Sequence, residues 1–363
     1  MDVDPSDDQR PPEEDAVRFL DGQCPLTRVR AHVASGEAYD RALWLAMIDR
    51  EWPATAVPEA LGGLGRGAVE LVGLLEQTGA HLAPTPFLQA VVTLDALATA
   101  AERGVAEVSW LEPLLRGDSV AAVAWPSVRA ERQAGRWLLS GRTGPALYGP
   151  TADVVVLPGE EAEGSRHLFV VNARARRIQA DASPDPTRQL GWVDLDATPA
   201  LHLGDAKALD AFLDLGAVAH AAELLGIAER VLAMTSAHAD ERARSDRATR
   251  SDPAERAHRA EMRADVEGMR SALHHAARRL AIGGVDRSVA ASGAKARCSE
   301  GARRVLRSSL QLHGGAGAAR ERGLDLFVGR AELDEHCFGD AAHHRARSTR
   351  LLGAGVGGRG RVT

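Results

Sequence analysis

The chain has 363 residues, 45% of them hydrophobic, so it is long enough for two or three domains with real cores. Its formal net charge of -6 argues against a nucleic-acid partner. The first fifteen residues are acidic and polar, unlike a signal peptide, and no run is judged long and apolar enough to cross a bilayer. The three cysteines are far apart in sequence and odd in number, which fits a reducing compartment. We therefore expect a cytoplasmic protein without a membrane partner.

The first third predicts an N-terminal α-helical domain over residues 1–118. Residues 1 to about 14 have the composition of a disordered tail. Helical patterns follow over roughly 16–19, 38–50, 68–79 and 86–103. Between the second and third patterns, prolines and glycines from Trp52 to Gly65 are too dense for an α-helix, so a loop is expected there.

The middle third predicts a small β-barrel-like domain over residues 119–206. From about Ser119 the pattern changes to short apolar runs bounded by Gly, Pro, Asp and Asn, which is typical of strands in an antiparallel sheet or barrel. The predicted strands cover residues 120–125, 137–141, 154–157, 168–171, 192–195 and 200–203.

The last third predicts a C-terminal four-helix bundle over residues 207–363. Buried stripes at helical spacing run over about 211–242, 254–282 and 289–312, and a fourth helix starts at Leu324. The sequence therefore predicts a mainly α protein with a β insert. The glycines at 353, 355 and 358 match a dinucleotide fingerprint, but we expect them to lie in a flexible tail.

Two glycine breaks interrupt these C-terminal helices. The first is Gln311-Leu312-His313-Gly314-Gly315-Ala316-Gly317, and the second is Cys337-Phe338-Gly339-Asp340. Glycine lets the backbone take positive φ and approach a ligand closely, and Gln311 and His313 can donate hydrogen bonds.

With this spacing, the chain resembles the acyl-CoA dehydrogenase family. In that family a Q-x-x-G-G-x-G segment holds the FAD pyrophosphate of a neighbouring subunit, and a glutamate–glycine pair lies beside the flavin about thirty residues later. A P-E-x-x-G-G-L-G loop joins two helices of the first domain, and it matches Pro58 to Gly65 here. The resemblance implies a fold of three successive domains, in which a small β-domain lies between two helical ones. It also implies FAD as cofactor, an acyl-CoA substrate and an oligomeric protein.

The resemblance carries the cofactor-binding role to Arg242, Gln311, Gly314 and Gly315. The family turn R-x-x-F-G, whose Arg and Phe touch FAD, keeps its arginine here as Arg242 but has lost Phe-Gly. A guanidinium supplies charge to phosphates, and backbone N–H groups at a glycine break supply hydrogen bonds. The arginines from 242 to 259 are equally compatible with a solvated, charged turn.

Other family contacts are absent from the middle domain. Where the family has a Thr-Glu pair and a Gly-Ser-Asp loop that meet the flavin ring, this chain has Trp125-Pro126-Ser127-Val128. The family's W-[IS]-[TS] strand is replaced by Ala146-Leu147-Tyr148-Gly149. These departures favour a flavin ring held chiefly by another subunit.

The family's catalytic glutamate is also missing in register. One family position for this base corresponds to Phe338, and the other corresponds to Gly216, ten residues before Gly226. Neither residue can accept the α proton of an acyl thioester. Asp340 is the nearest carboxylate and is the single catalytic candidate, although it is shorter than glutamate and displaced along the chain.

Three hypotheses follow. The chain is the non-base-bearing subunit of a hetero-oligomeric, FAD-dependent acyl-CoA dehydrogenase, paired with a paralogue and acting in steroid or fatty-acid degradation. Alternatively it is an active homo-oligomer that uses Asp340, or a structural or regulatory protein on this fold. The departures favour the first, because they resemble the smaller subunits of heteromeric bacterial enzymes. We predict no metal, since the adjacent pairs His274–His275 and His343–His344 point about 100° apart on a helix.

Overall fold

The computed structural model describes residues 12–105, 109–174, 177–245, 253–284, 286–314 and 320–358. Helices fill the N-terminal and C-terminal parts and strands fill the middle, which confirms the predicted fold class. The chain forms two compact units, one of Met1–Arg30, Val72–Ala83 and Ala217–Thr363, the other of Ala31–Leu71 and Pro84–Gly216. The three-domain boundaries at 118 and 206 stay a prediction.

The N-terminal helices are more numerous than the sequence patterns indicated. They are α1 (Pro12–Gln23), α2 (Leu26–Ser35), α3 (Arg41–Ile48), α4 (Ala68–Ala80), α5 (Phe87–Glu102) and α6 (Leu111–Leu115). The predicted tail was therefore too long by the three residues 12–14, while residues 1–11 lie outside the described part. The Pro/Gly-rich loop contains only short 3-10 turns, and a Cβ on Gly63 would stand 2.1 Å from the carbonyl oxygen of Val57.

The middle of the chain forms a closed five-stranded barrel. The eight strands of this part of the sheet are β1 (Ala121–Val123), β2 (Val128–Gln133), β3 (Arg136–Arg142), β4 (Ala146–Leu147), β5 (Val154–Glu160), β6 (Arg166–Asn172), β7 (Arg177–Asp181) and β8 (Leu190–Gly204), and five of them form the barrel. The barrel closes through the pairings β5–β2–β3–β8–β6–β5. Alternating side chains such as Leu139, Val155, Phe169 and Val193 fill its core.

Three strand predictions need correction. The two runs at 192–195 and 200–203 belong to one long strand, β8, which a bulge opposite Ser140 bends, with Ala197 at φ 40°. The sheet is mostly antiparallel as predicted, but β5 pairs in parallel with β1 and β2. The polar strands β2 and β7 were missed, because their sequences VRAERQ and RIQAD lack long apolar runs.

The C-terminal helices form the predicted bundle. They are α7 (Ala206–Ser245), α8 (Pro253–Ile282), α9 (Arg287–Leu312), α10 (Leu324–His336) and α11 (Ala341–Gly358). The region from Leu324 onward is thus two helices rather than one. The glycines at 353, 355 and 358 lie in α11, so the expectation of a flexible tail there was wrong.

Helix α7 also corrects the expectation about apolar runs. Over Ala206–Arg244 it is long and apolar enough to cross a bilayer by length and composition. However, 89% of its most apolar window is buried inside the structure, as in the core helix of a globular protein. The three cysteines, all within the described residues, form no disulfide.

Two glycines let the backbones of α4 and α7 touch. A Cβ on Gly226 would stand 1.8 Å from the carbonyl oxygen of Glu76, and one on Gly79 would stand 2.3 Å from that of Glu223. Such distances are far below any real contact of a Cβ, and the opposing atoms are backbone, which cannot rotate away. The close crossing therefore requires glycine on both helices.

This crossing predicts a large difference between two Gly→Ala substitutions. Gly226→Ala should lower the free energy of unfolding by about 1–3 kcal/mol or more, because the methyl group overpacks the crossing. The control is Gly293→Ala, because Gly293 lies on the exposed face of α9 and, apart from its own helix, no described atom lies within 4 Å of the added Cβ; this change should raise the free energy of unfolding by about 0.5–1 kcal/mol. Urea denaturation of both variants measures this, and equal effects would contradict the assignment.

Candidate cofactor and catalytic site

The first glycine break is open to a ligand. Helix α9 ends at Leu312, and Gly314 takes φ 84° with its N–H donating to the carbonyl of Gln311 at 3.2 Å. Gln311 and Gly314 are both exposed, and among the described residues, chain neighbours aside, no heavy atom lies within 4 Å of the point where a Cβ of Gly314 would stand. Gly315 lies outside the described residues. The open side of this break fits the close approach of a phosphate group.

The structure brings Arg242 to this break. Its Nη1 lies 3.5 Å from the carbonyl oxygen of Leu312, which places a guanidinium within reach of the end of α9. The side chain is 44% exposed, and its nearest carboxylate, that of Glu255 on α8, is 3.7 Å away. A half-exposed guanidinium beside an open glycine break is a suitable donor set for a pyrophosphate. Three predicted cofactor residues, Arg242, Gln311 and Gly314, thus lie on one stretch of surface.

A pair of stacked imidazoles lies next to Arg242, and no sequence motif linked the two histidines. The rings of His238 and His313 are 4.4 Å apart and inclined by 12°. Both ring nitrogens of His313 and Nδ1 of His238 are buried and have no hydrogen-bond partner among the residues that the structure describes. Burial, with smaller contributions from His238, Arg322 and Arg242, lowers the pKa of His313 to about 4, so the ring is neutral near pH 7. The spacing of His238 and Arg242, one helical turn apart, was the available sequence signal.

The catalytic candidate Asp340 has a structural task. Its Oδ1 accepts the backbone N–H of His343 at 2.8 Å, which makes it the N-cap of α11. This hydrogen bond is the largest of several causes that lower the pKa of Asp340. A general base for carbon acids works best with a pKa raised toward neutrality, so this environment tunes Asp340 in the opposite direction.

One of the two positions that correspond to the family's base holds a buried aromatic ring, and the other is Gly216, which is also buried. Phe338 has φ 59° and is 5% exposed, and its ring centroid lies 5.6 Å from that of His220. Its carbonyl oxygen lies 3.0 Å from Nε2 of His344. The side chain of Phe338 therefore packs among the helices, and it carries no carboxylate that could accept a proton.

Lys295 fixes the backbone just before this position. Its buried ammonium donates to the carbonyl oxygens of Asp334 at 2.7 Å and Glu335 at 2.8 Å, in the last turn of α10. These carbonyls have no partner within an α-helix, and a cation at a helix C-terminus also opposes the helix dipole. Burial is the largest cause that lowers the pKa of Lys295, to about 8.

A cluster of buried acidic groups lies on the same helices. Nδ1 of His220 is 2.9 Å from Oδ1 of Asp334, and the hydroxyl of Thr78 donates to Oε1 of Glu223 at 3.1 Å. His220, Glu223 and Asp334 place possible ligand atoms within 4.8 Å of one another. Yet Arg330 lies 4.0 Å from the carboxylate of Glu223, and the charge of Asp334 acts on Lys295, whose ammonium binds the backbone carbonyl oxygen of Asp334, so two cations lie near two carboxylates. These opposite charges make the cluster an internal network of charged groups. The absence of a metal stays a prediction.

The lowered pKa of Lys295 predicts a stability slope in alkali. Between pH 8 and 10.5 the unfolded chain binds more protons than the folded chain, so the free energy of unfolding rises with pH, by up to about 3 kcal/mol. Lys295→Met should remove this rise and, at pH 7.5, destabilise the fold by leaving two carbonyls without a donor.

Lys207 provides the matched control, because it is the other of the two lysines in the chain and is exposed. Lys207→Met should keep the wild-type slope. Urea denaturation of the three proteins at pH 7.5 and pH 10 makes the comparison, and groups that titrate in all three cancel. Parallel slopes in wild type and Lys295→Met would contradict the burial of a charged ammonium.

Comparison with known proteins gives two family matches. Residues 6–118 match the model of the N-terminal domain of acyl-CoA dehydrogenases, and residues 206–352 match that of the C-terminal domain. Acyl-CoA dehydrogenase FadE27 of Mycobacterium tuberculosis is 29% identical over 92% of this chain and 94% of its own length. Acyl-CoA dehydrogenase IpdE2 of Mycolicibacterium smegmatis is 26% identical over 86% of this chain and 88% of its own length.

Solved structures agree with these matches. A chain of the ChsE4-ChsE5 complex from Mycobacterium tuberculosis superposes with a TM-score of 0.86 and 26% identity, over 97% of this chain and 99% of that one. A chain from a variant of the Tcur3481-Tcur3483 steroid ACAD gives 0.85 and 26% over 95% and 98%. Both end domains match the family models, and the architecture is helical domain, barrel, helical domain. The chain therefore belongs to the acyl-CoA dehydrogenase family of flavin-dependent oxidoreductases.

Proposed function

We propose that this chain is the non-base-bearing subunit of a hetero-oligomeric, FAD-dependent acyl-CoA dehydrogenase. The observation that carries the proposal is the contrast between two positions. The glycine break at Gly314 is open and has Arg242 beside it, whereas the two positions of the family's base hold Phe338, which is buried, and Gly216. The chain keeps a cofactor surface and has no carboxylate where the chemistry needs one.

The cofactor surface would hold the ADP and pyrophosphate part of FAD. Arg242 would neutralise phosphate charge, and the exposed amide of Gln311 and the N–H groups around Gly314 and Gly315 would donate hydrogen bonds. The unpartnered ring nitrogens of His313 fit a site that an added polar group completes. When bound, FAD supplies the acceptor for the β hydrogen of the acyl chain, which leaves as hydride while a carboxylate takes the α proton.

The isoalloxazine ring and the base would come from a paralogous subunit. The segment in the place of the family's ring-contacting strand is Ala146–Leu147, followed by Tyr148, which has φ 58° and is buried. Asp340, the remaining carboxylate near Phe338, is engaged as a helix cap. The substrate would be an acyl-CoA thioester. Steroid-derived thioesters are the favoured class, since the Tcur3481-Tcur3483 protein is described as a steroid ACAD and two solved relatives are named as two-protein assemblies.

An obligate oligomer in the cytoplasm follows from the same proposal. The exposed break at Gly314 serves no purpose in an isolated chain, whereas a neighbouring subunit's cofactor would cover it. Purification of the chain alone and with a co-expressed paralogue from its own genome, followed by light scattering, flavin content and turnover, tests this. Flavin and turnover only in the co-purified complex support the proposal. Full turnover by the chain alone would instead establish the active homo-oligomer, and no flavin in any preparation would leave the structural or regulatory role.

The cofactor surface predicts a loss of flavin in two variants. Arg242→Ala and Gln311→Ala should each lower the FAD occupancy of the complex about tenfold at limiting FAD, because each removes a donor to the phosphates. Arg244→Ala is the matched control, since Arg244 is an exposed arginine of the same last turn of α7. Absorbance at the flavin band after gel filtration gives the occupancy. Equal losses in the control and in Arg242→Ala would show a general charge effect and contradict the site.

The helix cap makes Asp340→Asn a clean test of the base. Asparagine caps a helix about as well as aspartate, so the variant keeps α11 and removes only the carboxylate that could take a proton. We expect FAD occupancy and kcat of the complex to stay within about twofold of wild type. Loss of kcat by a hundredfold or more with flavin still bound would make this chain the catalytic subunit and overturn the proposed division of labour.

A further inference from the structure

A cavity of about 1040 Å³ lies in the barrel-containing unit, among residues that the proposed function does not use. It is bounded by the end of β2, by β3, β6 and β8, and by the segment that leads into α6. Its lining includes two tryptophans, two arginines and two further polar side chains, namely Trp110, Trp137, Arg132, Arg136, Asn172 and His202. We call it the barrel-side cavity. Its volume is at the upper end of the range for small-molecule sites.

The indole of Trp137 is held rigidly at this cavity. It stacks on the imidazole of His202, with centroids 5.6 Å apart and planes inclined by 23°, and meets Phe169 edge-on at 5.2 Å. The strand register explains the arrangement, because Trp137 lies opposite Ala200 in β8 and Phe169 lies opposite His202. Phe169 belongs to the barrel core, so the ring stack is anchored in packed structure.

The cavity also carries two positive charges that the barrel does not neutralise. Arg132 and Arg136 are exposed, and among the residues that the structure describes neither has a carboxylate within 4.0 Å. Other barrel arginines are paired: Arg129 with Glu131 at 3.2 Å, and Arg166 with Glu160 at 2.9 Å. The guanidinium carbon of Arg132 lies 5.9 Å from the ring centroid of Trp137, so charge and ring form one surface.

Trp110, a second aromatic ring of the lining, also has a cation beside it. The guanidinium carbon of Arg174 is 5.4 Å from the ring of Trp110, although this arginine also pairs with Asp153 at 2.6 Å. Asn172 and Ser109 add hydrogen-bonding groups to the lining. An aromatic face stacks on the planar ring of any nucleobase, whatever its identity. An unpaired guanidinium group binds a phosphate, often with two hydrogen bonds.

From this arrangement we propose that the barrel-side cavity binds an adenine nucleotide. The base lies against the tryptophan rings and the phosphates against Arg132 and Arg136. The ligand is either a free nucleotide such as ADP or the 3′-phosphorylated ADP part of a coenzyme A molecule, which share this chemistry. The residues involved are separate from Arg242, Gln311 and Gly314, so this site does not depend on the proposed flavin surface.

Titration calorimetry on the full-length protein with ADP, 3′-phosphoadenosine 5′-phosphate, coenzyme A and inorganic pyrophosphate tests the proposal. ADP should bind about tenfold or more tightly than pyrophosphate, because the stacked base contributes in addition to the phosphates. Arg132→Gln with Arg136→Gln should weaken ADP binding about tenfold or more. Whichever of ADP and the 3′-phosphorylated ligands binds more tightly identifies the source.

Two control variants keep the result specific. Arg129→Gln with Arg166→Gln removes the same number of charges from the barrel but leaves the cavity intact, so ADP binding should stay within about twofold. The titrations are repeated in the Arg242→Ala variant, which weakens binding of an ADP group at the flavin surface, and the barrel-side binding event should persist there. Absence of ADP binding at millimolar concentration, equal affinity for pyrophosphate and ADP, or full binding by the Arg132→Gln, Arg136→Gln protein would each overturn the proposal.

Discussion

The contact on which the candidate site depends is a buried ammonium at the end of a helix. Lys295, on α9, binds two carbonyls in the last turn of α10, so the chain leaves that helix at a fixed point and in a fixed direction. The next residues are Cys337, Phe338 and Gly339, whose backbone takes positive φ twice in succession. Placing a charge in the core is costly, as its lowered pKa indicates, and three hydrogen bonds to oxygen offset that cost. A residue other than lysine could fill the space but could not fix this exit.

The two glycine breaks then serve different purposes, although they look alike in sequence. Gly314 is open on the side where a Cβ would project, whereas a Cβ on Gly339 would stand 2.5 Å from the imidazole of His343. The first glycine therefore leaves room for a ligand, and the second lets the start of α11 pack closely. The same packing presents Asp340 to the N–H of His343. A glycine break is thus a ligand site only where its open side faces solvent.

Features that depend on residues close together in the sequence could be predicted, whereas features that depend on contacts between distant residues could not. Long helices such as α7 and α8 were predicted within a few residues, because their buried stripes repeat along one element. The strand β2 was missed because its polar side chains alternate with only a few buried ones, and β8 was divided because its bulge interrupts the pattern. The motif predicted that Arg242 and the first break belong together. It could not predict that His238 stacks on His313, or that Asp340 is a cap, because both are set by residues meeting across helices.

A subunit of this family can lose its base more easily than its cofactor surface, for physical reasons. A catalytic carboxylate in an apolar site costs free energy by desolvation, so its replacement by a well-packed ring such as that of Phe338 removes a penalty. The proposed phosphate-binding surface has no such cost, since Arg242 and Gln311 stay largely in water. In the proposed complex, where a partner supplies the base, stability would therefore favour a chain without one, while the exposed residues proposed to bind the cofactor stay neutral for folding. The proposed division of labour is the outcome that this asymmetry favours.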